Sequence, residues 1–262
     1  AAVLGAPLWS ATADAAEQPT LEYQALLARG PAMIQVADAA GLSQTFSDLG
    51  YHLPGVRTVG MVPRIAVENL PRDLGKMQPV EQRKSLFILA ILPLVLHANE
   101  AIMVDRTRLL ALAPIPLETW SEPDQKWLGD MAVAYKAQDL EGAELIDELI
   151  RRIDIVPTSL AVAQAAEESG WGTSRFAIEG NAIFGQWTTS EADGLRPRGA
   201  DKDFKYFVRT FDGPEKSVAA YMRNLNTHDA YVSFRNRRKV QRDQIGELDS
   251  FGLANTLLSY SE

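Results

Sequence analysis

Apolar residues recur at helical spacing through most of this chain, and a single glycine-punctuated stretch interrupts them. The periodicity predicts helices over residues 21–29, 33–48, 62–70, 80–113, 124–138, 144–153 and 158–168, so the first half reads as all-α. Start signals agree: Pro79 stands just ahead of one helix, and Ser121 is followed by Pro123 and Asp124 at another. After Gly172, glycines at 180, 185, 194, 199 and 213 punctuate two strand-like runs, 182–187 and 204–211. Helices resume over 214–228, 231–242 and 248–260, the first opened by Asp212 and Gly213 ahead of Pro214. The expected fold is α+β and mainly α, with a small β-lobe at about 181–212 inserted between helices. Prolines 114 and 116 mark a joint between an N-terminal helical region, 20–113, and a second region, 120–262.

With 262 residues, 46% of them hydrophobic, the chain can bury a substantial core, which excludes disordered and collagen-like classes. The absence of Cys excludes disulfides, thiol catalysis and Cys-ligated metal sites. Only His52, His97 and His228 remain as imidazoles, no metal-ligand spacing occurs, and no cofactor is expected. A net charge of -8 argues against nucleic acid as a partner. The longest apolar run, 86–96, contains Pro93 and falls well short of the roughly 20 residues that span a bilayer, so it reads as a buried helix and not as an integral membrane segment. Residues 1–19 read either as the remnant of a signal peptide, which implies a periplasmic or otherwise exported protein, or as a disordered leader. Arg235, Arg237, Arg238 and Lys239 form a basic cluster that reads either as a solvated helix face or as a contact for an anionic polymer.

The most informative segment is 158–168. Small apolar residues at 161, 162, 163, 165 and 166 cover every side of a helix, which marks it as buried. It ends in Glu167-Glu168-Ser169-Gly170-Trp171-Gly172, delivering carboxylates from a core helix to a turn of glycines and an indole. Glu168 shares a face with Gln164 and Leu160, whereas Glu167 is rotated toward Ala163. These acids either cap a helix end in water or serve chemistry. Acidic charge at a helix C-terminus opposes the macrodipole, and positions that break a local rule are often functional. Desolvation beside Trp171 would raise the pKa of the more buried acid, leaving a carboxyl that can protonate a leaving oxygen, as a glycosidase requires.

The string Ala165-Ala166-Glu167-Glu168-Ser169-Gly170-Trp171-Gly172, followed by Asn181-Ala182-Ile183-Phe184-Gly185, resembles the glucosaminidase domain of glycoside hydrolase family 73. Ser217-Val218, Tyr221, Asn224-Leu225-Asn226, His228, Ala230-Tyr231 and Phe234-Arg235 are similar to its Bax-type branch, as is Gln186-Trp187. The resemblance covers about 155–262, and Val62-Pro63-Arg64 and 92–99 extend it less diagnostically. It implies a lysozyme-like fold in which a helical body and a β-lobe flank a cleft for a β-1,4-linked aminosugar chain, with Glu168 as general acid. The implied activity is that of an endo-β-N-acetylglucosaminidase acting on peptidoglycan glycan strands. A muramidase or lytic transglycosylase on the same fold, or a non-catalytic glycan-binding cell-wall subunit, are the alternatives.

The family places its second carboxylate in the β-lobe, where Glu191 ranks ahead of Asp193, Asp201 and Asp203. Such a group acts as base for inversion or as nucleophile for retention, unless the substrate's own acetamido group attacks. Tyr260 sits where the family often carries an active-site tyrosine. Gln164, Trp171, Phe184, Trp187 and Tyr231 are the candidate sugar contacts, although aromatics at these spacings also suit a core. Asn181 is expected to support the turn before the lobe, and His228 to be a structural hydrogen-bonder.

Overall fold

The computed structural model describes residues 8–10, 30–201 and 203–257, and their secondary structure is mainly helical with short strands, an α+β fold. The helix predicted over 21–29 lies outside the described residues. Two compact units share the chain. One comprises the strand Leu8–Ser10 with the described parts of Ala25–Ala98 and Ala161–Tyr221; the other comprises Asn99–Leu160 and the described part of Met222–Glu262.

In the first unit, β1 (Leu8–Ser10) pairs antiparallel with β3 (Met61–Pro63), and β2 (Ala32–Ile34) pairs parallel with β4 (Ile65–Val67). The helices expected over 33–48 and 62–70 are therefore corrected. Only α1 (Ala39–Asp48) is helical in the first stretch, opened by Asp38, whose carboxylate accepts from the Gly41 N–H at 2.8 Å. The second stretch is extended. A short run of continuously buried residues, Val62 to Val67, fits strand and helix periodicity equally. Pro63, which lacks an N–H, and the β-branched Val62, Ile65 and Val67 favour the strand. A helix absent from the sequence-based expectation, α2 (Leu53–Val59), is capped by His52 Nδ1, which accepts from the Gly55 N–H at 2.9 Å.

The helix expected over 80–113 is α3 (Val80–Leu112). By length and composition it could cross a membrane, although half of its most apolar stretch is buried inside the protein. Phe87, Ile91, Leu94 and Val95 have no exposed surface, as expected for a core helix. The β-lobe is a three-stranded antiparallel sheet with β7 (Phe207–Arg209) between β5 (Trp187–Thr188) and β6 (Gly194–Leu195). It lies within the predicted 181–212. The run 182–187 is extended only at its end; Ala182, Ile183 and Phe184 instead form a buried turn.

In the second unit, α4 (Glu122–Ala134) and α5 (Gly142–Arg152) share a core of Leu109, Trp120, Leu128, Leu145, Leu149 and Ile153. Further on, α9 (Val232–Gln244) follows the helix that ends at Thr227, and α10 (Ser250–Ala254) is helical within the described part of the predicted 248–260. Here the basic cluster is corrected. Arg235 and Arg238 are 2% and 0% exposed, neither a solvated face nor a polymer contact. Arg238 donates to the carbonyls of Arg151, Asp154 and Ile155 at 2.8 to 3.0 Å, and Arg106 to those of Ile150 and Ile153 at 2.8 and 2.7 Å. The two guanidiniums thus satisfy backbone acceptors at and just beyond the α5 C-terminus. Asp154, buried among them, accepts from Arg242 Nε and Nη2 at 3.2 Å each. Of the cluster, Arg237 is exposed and Lys239 pairs with Asp243 at 2.6 Å.

Candidate active site

The site is built on the C-terminal end of α6 (Thr158–Glu168). Leu160, Ala161, Ala165 and Ala166 are buried, while Ser159, Ala163 and Glu167 form an exposed stripe, so the helix is covered on one side only and not all round. Small side chains on the buried side let neighbouring elements approach. At its last turn Glu167 faces solvent and Glu168 is half-buried, the rotation expected from their spacing.

The turn that follows explains its own composition. The Trp171 N–H donates to the Ala166 carbonyl at 2.7 Å, a closing bond of the Schellman kind. Ser169, fully buried, donates its hydroxyl to the Ala165 carbonyl at 2.5 Å and accepts from the Gly172 N–H at 2.7 Å. Gly170, Trp171 and Gly172 are all left-handed, with φ of 58°, 59° and 73°. A Cβ on Gly172 would come within 2.7 Å of Phe87 and 2.9 Å of Leu70. Gly172→Ala is therefore expected to destabilise the protein by about 1–3 kcal/mol, read as a lower denaturant midpoint, because strain and overpacking add at one position.

Helix α7 (Arg175–Gly180), which the sequence reading missed, carries the chain from this turn to Asn181. Asn181 is left-handed, with φ of 51°, and its amide donates to Asn69 Oδ1 at 3.0 Å and to the Phe211 carbonyl at 3.1 Å. It holds the turn, the support expected of it. The turn returns Gly185 to the acid: a Cβ there would lie 3.9 Å from Glu168 Oε2. Glycine, with φ of 59°, thus leaves one side of the carboxyl open.

Around Glu168 the other groups are fixed. Gln164, one turn earlier and half-buried, accepts on Oε1 from the Tyr221 hydroxyl. Tyr221 lies on α8 (Pro214–Thr227), is fully buried, and stacks on Phe184 with ring centroids 3.9 Å apart and planes 6° apart. Burial raises the pKa of Glu168, and the neighbouring Glu167 charge raises it further. A carboxyl so placed holds its proton to higher pH than an ordinary glutamic acid and can donate it to an oxygen in the open space beside Gly185.

The remaining predicted residues fall in several places. Phe184 is 2% exposed with a ring face taken by Tyr221, so it supports the site from within and offers no face to a sugar. Trp171 is half-buried, its ring edge-on to Phe87 at 6.1 Å and under the Lys84 ammonium at 4.9 Å. Trp187 is exposed on β5. Glu191 is exposed between β5 and β6, and the charge acting on Glu168 is that of Glu167, not Glu191. Tyr231 is buried, which corrects its assignment as a sugar-stacking surface. His228 Nδ1 accepts from the Ala230 N–H at 3.2 Å, the structural bond expected of it. Tyr260 lies outside the described residues. The sequence reading placed Tyr221 in a motif but gave it no role. The available signal was a tyrosine at a core-facing helical position, whose hydroxyl needs a partner, together with a Gln on the acid's own face. Among the described residues no cluster of His, Cys, Asp and Glu is arranged to hold a metal ion.

Comparison with known proteins gives two matches. A glucosaminidase family model, described as mannosyl-glycoprotein endo-beta-N-acetylglucosaminidase, matches residues 143–261, which include all of α6 and the β-lobe. Protein bax of Escherichia coli (strain K12) is 34% identical over 191 residues, 72% of this chain and 67% of that protein. No solved structure matches the chain.

Proposed function

The chain belongs to the glucosaminidase family, and we propose that it is an exported peptidoglycan hydrolase, an endo-β-N-acetylglucosaminidase of the lysozyme-like glycoside hydrolase family 73. The observation that carries this reading is Glu168, a half-buried carboxyl with a raised pKa at the end of a core helix, open on its Gly185 side. Its proton passes to the glycosidic oxygen, the bond from that oxygen to the anomeric carbon breaks, and the leaving sugar departs as an alcohol. Water then completes the reaction at the anomeric carbon. Its proton goes to Glu191 on the lobe, or the substrate's acetamido oxygen closes on that carbon first and water opens the ring, giving its proton to the Glu168 carboxylate. Gln164, held by Tyr221, keeps its amide N–H groups for the sugar beside Glu168.

Digestion of purified peptidoglycan, with mass spectrometry of the borohydride-reduced products, tests the bond that is cut. Fragments ending in reduced N-acetylglucosamine are expected. Reduced muramic acid ends would make it a muramidase, and 1,6-anhydro ends a transglycosylase. Absence of cleavage by folded protein across about pH 4 to 8 would leave only a glycan-binding role.

The pH profile follows from the same site. A general acid must be protonated, so kcat/KM is expected to fall as pH rises through the raised pKa of Glu168. Glu167→Gln removes a like charge, lowers that pKa and moves the alkaline limb to lower pH. An unmoved limb in this variant would show that another group sets it.

A further inference from the structure

Three exposed aromatic rings stand together on the β-lobe without contributing to its core. Trp187 is 57% exposed, Phe204 36% and Tyr206 54%. Trp187 and Phe204 meet edge-to-face with centroids 6.1 Å apart at 70°, and Phe204 and Tyr206 do the same at 5.8 Å and 67°. Trp187 belongs to β5, while Phe204 and Tyr206 lie in the segment entering its antiparallel partner β7. The lobe buries Phe207 and Val208 instead. An edge-to-face contact covers less ring surface than stacking does, and at these exposures apolar surface stays open to water.

Size and surroundings select what covers it. Aromatic side chains carry roughly 150–250 Å² each, so at these exposures the triad leaves on the order of 300 Å² open. A stable protein interface takes about 800 Å² from each partner. Along the chain exposed Asp203 precedes Phe204, exposed Lys205 separates it from Tyr206, and exposed Arg209 follows. A small apolar surface bordered by polar groups matches a pyranose, whose ring presents apolar C–H faces and hydroxyl edges. The triad also begins close to the acid along the chain. Trp187 follows Gly185, which flanks the Glu168 carboxyl, by two residues, about 7 Å of extended chain.

We propose that Trp187, Phe204 and Tyr206 form a sugar-stacking platform that grips the β-1,4-linked aminosugar strand on the lobe side of Glu168. Phe204 and Tyr206 thereby become binding residues for the glycan, and the proposal rests on the glycan-cleaving role assigned to Glu168 above.

The test uses the full chain with Glu168→Gln, so that binding is read without turnover, and a β-1,4-linked N-acetylglucosamine hexamer as probe in titration calorimetry. Adding Phe204→Ala and Tyr206→Ala is expected to weaken hexamer binding roughly 5-fold or more, since each aromatic contact contributes measurably beyond its area. Tyr206→Phe keeps the ring and should bind as its parent does. An unchanged thermal midpoint confirms that the exposed positions do not report on folding. Equal hexamer affinity of the double variant and its parent overturns the platform, as does a dimer in sedimentation that the double variant abolishes, which would give the rings to a second copy. If the wild type cleaves peptidoglycan and the double variant binds normally, the platform alone fails. If no form cleaves peptidoglycan or binds the hexamer, the glycan reading of Glu168 fails and the platform with it.

Discussion

Glu168→Gln is expected to lower kcat for glycan cleavage by about 10²- to 10⁴-fold, the range that a positioned general acid contributes. The amide has nearly the shape of the acid but no proton to give. Substrate affinity should change little, because the Gln164–Tyr221–Phe184 support and the left-handed turn at 170–172 are untouched. Stability should hold or rise slightly: the substitution removes a charge that burial and Glu167 both disfavour. Steady-state kinetics on peptidoglycan, with circular dichroism as the control for folding, separates these effects. Glu167→Gln is the matched comparison, since that residue faces solvent and is expected to alter the pH profile without abolishing turnover. A loss of only a few-fold at Glu168, or a larger loss at Glu167, would remove Glu168 from the role of acid.

Asp154→Asn is expected to destabilise the second unit by about 3–5 kcal/mol, as when one partner of a buried ion pair is removed. Asp154 is 2% exposed and faces Arg106, Arg238 and Arg242 at 3.5, 3.9 and 3.2 Å. Two of those guanidiniums are themselves buried and spend their donors on carbonyls around the end of α5. Without the carboxylate their charges lose the counterion that makes burial tolerable. Denaturant unfolding of the variant measures the cost, and Arg237→Ala on the exposed side of α9 should stay within about 0.5 kcal/mol of wild type. The pH dependence has a definite sign. Burial pushes the Asp154 pKa up, but Arg238, Arg106 and Arg242 outweigh it and hold the value below the ordinary 3.8. A lowered carboxyl pKa stabilises the fold above the unfolded value and loses that contribution as pH falls through the folded one. Wild-type stability should therefore drop below about pH 4, and the variant should show less of that drop.

These two residues show how unevenly the sequence spoke. Glu168 was legible because its neighbours are local: a helix of small residues, a Ser-Gly-Trp-Gly turn and a face shared with Gln164 all lie within one short stretch. Asp154 was silent, because its partners come from Arg106 and from α9, far along the chain, and no periodicity couples them. For the same reason the basic cluster read as surface. Arg235 and Arg238 look like exposed charge until the carbonyls they cap are placed beside them.

Long apolar elements, α3 above all, were set by the sequence alone, since an extended run of apolar residues in a long helix dictates burial as well. So were the mainly helical α+β class and the rotation about the helix that exposes Glu167 and half-buries Glu168. Pro63 and the β-branched residues lean 62–67 toward a strand, but a short buried run satisfies both periods, and only pairing with distant strands in the tertiary structure made it extended. Tertiary structure also decided which aromatics are core and which are surface: Phe184 and Tyr231 went inside, while Trp187, Phe204 and Tyr206 stayed out. A ring's chemistry is the same in both settings, and what differs is the partner across space that takes its face from water.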